Sequence, residues 1–201
     1  AAVRLKDSRD FVLKAMAEDG SALKHVSKRL QRDAEVVLAA MRSAGHLALS
    51  FAAPALRADG GFMLEAVKEN GLALQFASPK LRRDADVVLA AVLQNGTALQ
   101  FAAKTLQGDC ELASKAVCKD GNALEHAAEE LRCSRDFVLA AVRQRGLALQ
   151  FAGEGLRQDH ELVLAAVKQD GFALQFAEQQ LRGDRTIVLE AVGSKGERAL
   201  Q

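Results

Sequence analysis

The sequence predicts an all-α fold, an α-solenoid (superhelix) of tandem helix-turn-helix repeats of ~25 residues. Three observations predict it. Glycine stands at Gly20, Gly45, Gly71, Gly96, Gly121, Gly146, Gly171 and Gly196, at intervals of 25 with one of 26. Alanine keeps the same beat in two columns, from Ala15 through Ala40, Ala66 and Ala91 to Ala191, and from Ala22 through Ala48 and Ala73 to Ala199. Within each repeat apolar residues recur at helical spacing, and only 2 prolines in 201 residues stand in the way of helix.

Each repeat opens on Ser8, Asp33, Asp59, Asp84, Asp109, Ser134, Asp159 or Asp184. Such side-chain oxygens accept from the free N–H groups of a first helical turn, so first helices are expected from residues 9, 34, 60, 85, 110, 135, 160 and 185. An acid two residues after the cap (Asp10, Glu35, Asp86, Glu111, Asp136, Glu161) suits the positive end of the helix dipole. Apolar residues then follow on one face, as in Val87, Val88, Ala91 and Val92, or Leu162, Val163, Ala166 and Val167. The glycine column is expected to end this helix in the left-handed conformation, after the turn-tolerant Asn70, Asn95, Asp120 and Asp170. The one extra residue is placed just after Gly45, in the turn.

A second α-helix is expected to follow at once. In one repeat it carries Ala73, Leu74, Phe76, Ala77, Leu81 and Arg82, with Leu81 in a leucine column running from Leu5 to Leu181. Helices this short are marginal alone and must bury their faces on neighbouring repeats. The alanine columns let helix axes approach to about 8 Å.

These columns define one repeat domain over residues 1–201. Residues 1–7 are the tail of a preceding repeat; the repeats span 8–32, 33–58, 59–83, 84–108, 109–133, 134–158 and 159–183; and 184–201 is a partial one. Neither end carries a polar capping repeat, so another protein, or more of the same polypeptide, is expected to cover the apolar ends around Leu5 and Ala199-Leu200.

The unit Asp84-x-x-Val87-Val88-Leu89-Ala90-Ala91-Val92-x-x-Asn95-Gly96-x-Ala98-Leu99-Gln100-Phe101-Ala102 resembles the repeat known as domain of unknown function 4116. The resemblance recurs in every repeat. It implies tandem arrays of the kind found in algae, other protists and some intracellular bacteria. It carries no activity, cofactor or catalytic residue to transfer.

Composition narrows the function further. The net charge of +1 excludes a strongly basic nucleic-acid domain, and the aromatic residues are all Phe, without the Tyr or Trp on which bases usually stack. The longest apolar run, Val87 to Leu93, is far short of the ~20 residues of a membrane span, so no transmembrane segment is expected and the chain reads as soluble, intracellular or organellar. Cys110, Cys118 and Cys133 match neither a disulfide framework nor a zinc pair, and are expected to be buried or half-buried thiols.

His25 and His126 occupy a slot filled elsewhere by Phe51, Phe76, Phe101, Phe151 and Phe176 and read as packing residues. His46 and His160 stand apart from any ligand cluster. Capping accounts for the aspartate column, Ser members included. No phosphate-cradling loop, nucleophile elbow or HExxH is present. No catalytic, metal or cofactor-binding residue is therefore expected, and the chain reads as non-enzymatic.

Two columns are candidates for a partner-binding surface. One is basic, Arg57, Arg82, Arg132, Arg157 and Arg182; the other is amide, Gln75, Gln100, Gln150 and Gln175. Both are expected to be exposed. The first is read either as favourable charge at helix C-termini or as a groove for an acidic partner or a phosphate backbone; the second either bonds amide to amide between stacked helices or presents a polar face to a partner. The function this favours is a protein–protein interaction scaffold, as an accessory or linker subunit of a larger assembly, with protein partners and no nucleic acid. The alternatives are a nucleic-acid-binding helical repeat, or the recognition arm of a larger enzyme.

Overall fold

Six of the eight long helices begin at an aspartate that caps them. A computed structural model describes residues 7–198, with side chains to residue 193. It contains eight long helices: α1 (Arg9–Glu18), α2 (Ala34–Ala44), α3 (Gly60–Glu69), α4 (Ala85–Gln94), α5 (Cys110–Lys119), α6 (Arg135–Gln144), α7 (His160–Gln169) and α8 (Arg185–Arg198). All eight start where the capping column places them, and the described residues contain no strand. Asp33, Asp59, Asp84, Asp109, Asp159 and Asp184 each accept a first-turn N–H. Ser8 and Ser134 do not, although their backbones have the same extended conformation. The capping account of the two Ser members is therefore corrected: Ser8 and Ser134 hold the capping position with the backbone conformation but without the side-chain bond.

The chain divides into two compact units, one running to Gln94 and one beginning at Asn95. In the first, α1, α2, α3 and α4 pack each on the next; in the second, α5, α6, α7 and α8 do the same. The expected faces are the buried ones, with Val87, Val88, Ala91 and Val92 inside the first unit and Leu162, Val163, Ala166 and Val167 inside the second. Both alanine columns are buried apart from the half-buried Ala15 and Ala22 of the first repeat. The leucine column is less buried than its regularity suggests: Leu30 and Leu81 are inside, while Leu56, Leu106, Leu131, Leu156 and Leu181 are half-buried. Leu5, Lys6, Ala199 and Leu200 lie outside the described residues.

The second helix of each repeat is not a continuous α-helix. It is a six-residue 3-10 helix followed by a separate single turn, as in Gly71–Phe76 and Leu81–Arg83, or Gly121–His126 and Glu129–Arg132. Between the pieces Ala77 is extended, with φ −62° and ψ 148°. The break serves a bond between repeats. Just past it the backbone N–H reaches the preceding repeat, Ala53 to the Gln31 carbonyl at 2.9 Å and Ser78 to that of Arg57 at 2.8 Å. The second unit repeats this, from Ala128 to Gln107, Gly153 to Arg132 and Glu178 to Arg157, at 2.9–3.0 Å. A continuous α-helix would use those N–H groups internally, on the carbonyl four residues back.

The glycine column also has a different cause from the one expected. Among the described residues only Gly45 has a positive φ, 73°. The residues preceding Gly20, Gly71, Gly96, Gly121, Gly146 and Gly171 are extended, and Asp19, Asn70, Asn95, Asp120 and Asp170 each cap the 3-10 helix by accepting an N–H two residues on. What requires glycine is close approach. A Cβ on Gly20 would overlap the Ala40 carbonyl oxygen, one on Gly146 would overlap that of Ala166, and one on Gly121 would lie 2.9 Å from that of Ala141. Glycine of one repeat and alanine of the next are thus two halves of one contact. Gly196 falls inside α8 and ends nothing.

The extra residue lies inside α2, which has 11 residues where α1, α3 and α4 have 10. Gly45 consequently takes the place held elsewhere by the capping Asn or Asp, and His46 takes the place of the column glycine.

Candidate functional site

The basic column does not form a free edge. Arg57, Arg82, Arg132 and Arg157 are half-buried, and the Nε of each is buried without a hydrogen-bond partner. Arg182 is exposed. The reason is visible where the column carries Gln. Gln31 and Gln107 are buried, at 7% and 6% exposure, and their amides turn back toward the 3-10 helix of their own repeat. Gln31 Nε2 donates to the Leu23 carbonyl at 3.2 Å, and Gln107 Nε2 reaches those of Leu99, Gln100 and Ala102 at 3.1–3.2 Å. This column closes the C-terminal end of the 3-10 helix, which leaves carbonyls otherwise unmatched. At Arg57, Arg82, Arg132 and Arg157 the stem is drawn into the same place, with its Nε buried and unpartnered. The appearance of uncharged Gln31 and Gln107 within a basic column was the sequence signal that the position is internal.

The amide column is the outward one. Gln100, Gln150 and Gln175 are exposed and Gln75 is half-buried. Gln100 donates to the Thr97 carbonyl of its own turn at 3.1 Å. Beside these amides stand the half-buried Phe101, Phe151 and Phe176, with His126 in the same slot. Burial holds the His126 imidazole below its ordinary pKa, partly offset by Glu125. His25, at the equivalent place in the first repeat, is exposed.

The two columns meet in surface recesses between successive 3-10 helices. One, in the first unit, has a volume of about 420 Å³ and is bordered by Lys24, Gln31, Ser50, Phe51 and Arg57. Its counterpart in the second unit, about 410 Å³, has Gln100, Gln107, Glu125, His126 and Arg132 at the matching positions. Columns far apart in sequence are brought together because each recess draws one wall from each of two adjacent repeats.

A second repeated feature is electrostatic. Arg9 reaches forward to Asp33 and Glu35 of the next repeat, and Arg135 does the same to Asp159 and Glu161. The Arg9 and Arg135 guanidiniums are the main cause holding the Asp33 and Asp159 carboxyls below the usual carboxylate range. His160 sits in the same column, 3.9 Å from Asp184. His46 adds a link of another kind: its Nδ1 lies 3.4 Å from Asn70 Nδ2, and its ring is tilted against Phe76.

All three cysteines are exposed and free, which corrects the expectation of buried thiols. Cys110 is the first residue of α5, and Cys133 is the residue that ends the single-turn helix Glu129–Arg132. Among the described residues no group of three or more His, Cys, Asp or Glu could hold a metal ion, and no helix is long and apolar enough to cross a membrane.

These features define an all-helical tandem-repeat protein whose repeats are joined by close Gly–Ala contacts and backbone bonds. The chain belongs to the family described as domain of unknown function 4116, whose model matches residues 8–57, 59–107, 109–157 and 159–201. Each of the first three matches spans two of the ~25-residue repeats, and the fourth spans one repeat and the partial one after it. No curated protein and no solved structure matches the chain.

Proposed function

We propose that this chain is a non-enzymatic solenoid that binds protein partners, serving as an accessory or linker subunit of a larger assembly. The observation that carries the reading is the outward amide–aromatic face of the second unit. Gln100, Gln150 and Gln175 recur at the same place in three of four repeats, exposed, each beside a half-buried Phe, with Glu125 beside His126 in the fourth. The bonds that join the repeats leave this face unused. Backbone groups at the break make the register there, and ion pairs such as Arg135–Asp159 make it at the far end of the repeat. Repeated side chains at fixed spacing on a packed scaffold present an extended surface, which suits a macromolecule better than a small substrate. Protein is favoured over nucleic acid because the exposed column is amide rather than basic.

The test is site-specific photocrosslinking from positions 100, 150 and 175 of the protein in its native assembly, with positions 143 and 168 on the long helices as controls. Crosslinks from the first set to one defined protein, absent from the controls, support the reading. Equal labelling from both sets refutes it. Crosslinks to RNA, together with salt-sensitive retention of RNA by the unmodified protein, would replace it with the nucleic-acid reading.

A further inference from the structure

The two matching recesses differ in charge, and the difference is not one that packing requires. In the first, Lys24, Lys28, Arg32 and Arg57 border the cavity and no carboxylate does. In the second, Lys104 and Arg132 are accompanied by Glu125 and Glu129, which stand where the first has Ser50 and Pro54. None of the four cations of the first recess forms an ion pair with a described residue. Asp19 lies within electrostatic reach of Lys24 but does not border the recess. The Nε of Arg57 is also buried without a hydrogen-bond partner. Four like charges around one open cavity repel one another unless an anion is drawn in.

We propose that this recess is a binding site for a phosphate dianion, free or as a monoester. A tetrahedral dianion offers several acceptor oxygens to donors converging from two repeats, and it offsets more of the four charges than a single carboxylate would. Lys24 and Lys28 approach from one repeat and Arg57 from the next. Gln31, Ser50 and the backbone around Ala52 form the neutral floor. The second recess carries its own carboxylates and does not take the anion. This inference goes beyond the protein-binding reading and does not depend on it.

The experiment is an amide NMR titration of the protein with inorganic phosphate and, separately, with O-phosphoserine. Saturable shifts confined to residues 24–57 are expected from both probes if the site accepts esters, and from inorganic phosphate alone if it admits only the free ion. The test variant carries Lys24→Gln, Lys28→Gln and Arg57→Gln. Glutamine occurs at each of these columns elsewhere in the chain, at Gln100, Gln179 and Gln107, so folding is preserved. It should weaken binding by at least about tenfold, as expected for losing several charge-assisted bonds. Ser50→Glu with Pro54→Glu, which introduces the two carboxylates of the second recess, should abolish it. Arg132→Gln should change nothing. Absence of saturable shifts, or shifts retained in the triple glutamine variant (an adventitious ion only), overturns the proposal.

Discussion

Gly146→Ala is the sharpest test of how the repeats are held together. Gly146 opens the 3-10 helix Gly146–Phe151 without a positive φ, so its backbone conformation is one alanine can adopt. Considered locally, the substitution should stabilise the protein by about 0.4–1 kcal/mol, by restricting the unfolded chain. Packing opposes this. The added methyl would overlap the Ala166 carbonyl oxygen, and it would lie 2.9 Å from the Asp170 nitrogen and 3.0 Å from the Asp170 Cβ. Two of those three atoms are backbone, so no rotamer change relieves the overlap. The 3-10 helix must move away from α7, which also strains the bond from Gly146 N–H to Gln169 Oε1 at 2.5 Å. Overpacking of this kind costs about 1–3 kcal/mol. The net expectation is destabilisation by about 1–2 kcal/mol, opposite in sign to the local effect. Gly155→Ala supplies the control, because nothing lies within 4 Å of the position its Cβ would take. Urea denaturation followed by circular dichroism measures both. Destabilisation of the first variant alone supports close approach as the reason for the glycine column. A Gly146→Ala protein as stable as the parent, or more so, refutes it.

Ala91, fully buried in α4, should not tolerate Leu: Ala91→Leu is expected to cost about 1–3 kcal/mol by overpacking, read from the same denaturation curves. Arg135→Ala should change how stability responds to acid. Hydrogen bonding to Arg135 is the main cause that lowers the Asp159 pKa, so the contribution of Asp159 is present above its unfolded pKa and is lost as pH falls through the folded one. The parent should therefore lose more stability than Arg135→Ala between about pH 5 and pH 2, and parallel curves would dissociate the ion pair from folding. The exposed Cys110, Cys118 and Cys133 should all react with a disulfide reagent in the native protein without denaturant; slow labelling of any of them would contradict its exposure.

Periodicity is legible without coordinates because each repeat must solve the same local problem. The starts of α1 through α8 all follow one Ser/Asp column, and at its six aspartates the reason is local, since capping depends on a side chain and the few N–H groups beside it. The buried face of each long helix follows from spacing alone, as at Val87, Val88, Ala91 and Val92. Features that depend on the neighbouring repeat were not legible. That the second helix breaks at Ala77 depends on Ser78 finding the Arg57 carbonyl, a partner 21 residues away. That the extra residue sits in α2 rather than after Gly45 depends on which residue faces the next helix, and in sequence the glycines at 45 and 71 look equivalent. The basic column read as exposed because arginine usually is, whereas packing draws its Nε inside.

By itself the sequence determined the all-helical class, the repeat length, the helix starts and the family, because all of these follow from local propensity recurring at a fixed interval. Only the tertiary structure decided why the column glycines are glycines, which of the two polar columns faces outward, and that Lys24, Lys28, Arg32 and Arg57 share one recess while the matching one is neutralised by Glu125 and Glu129. Those outcomes depend on distances between atoms of adjacent repeats. A periodic pattern records that such contacts recur, but not which atoms make them.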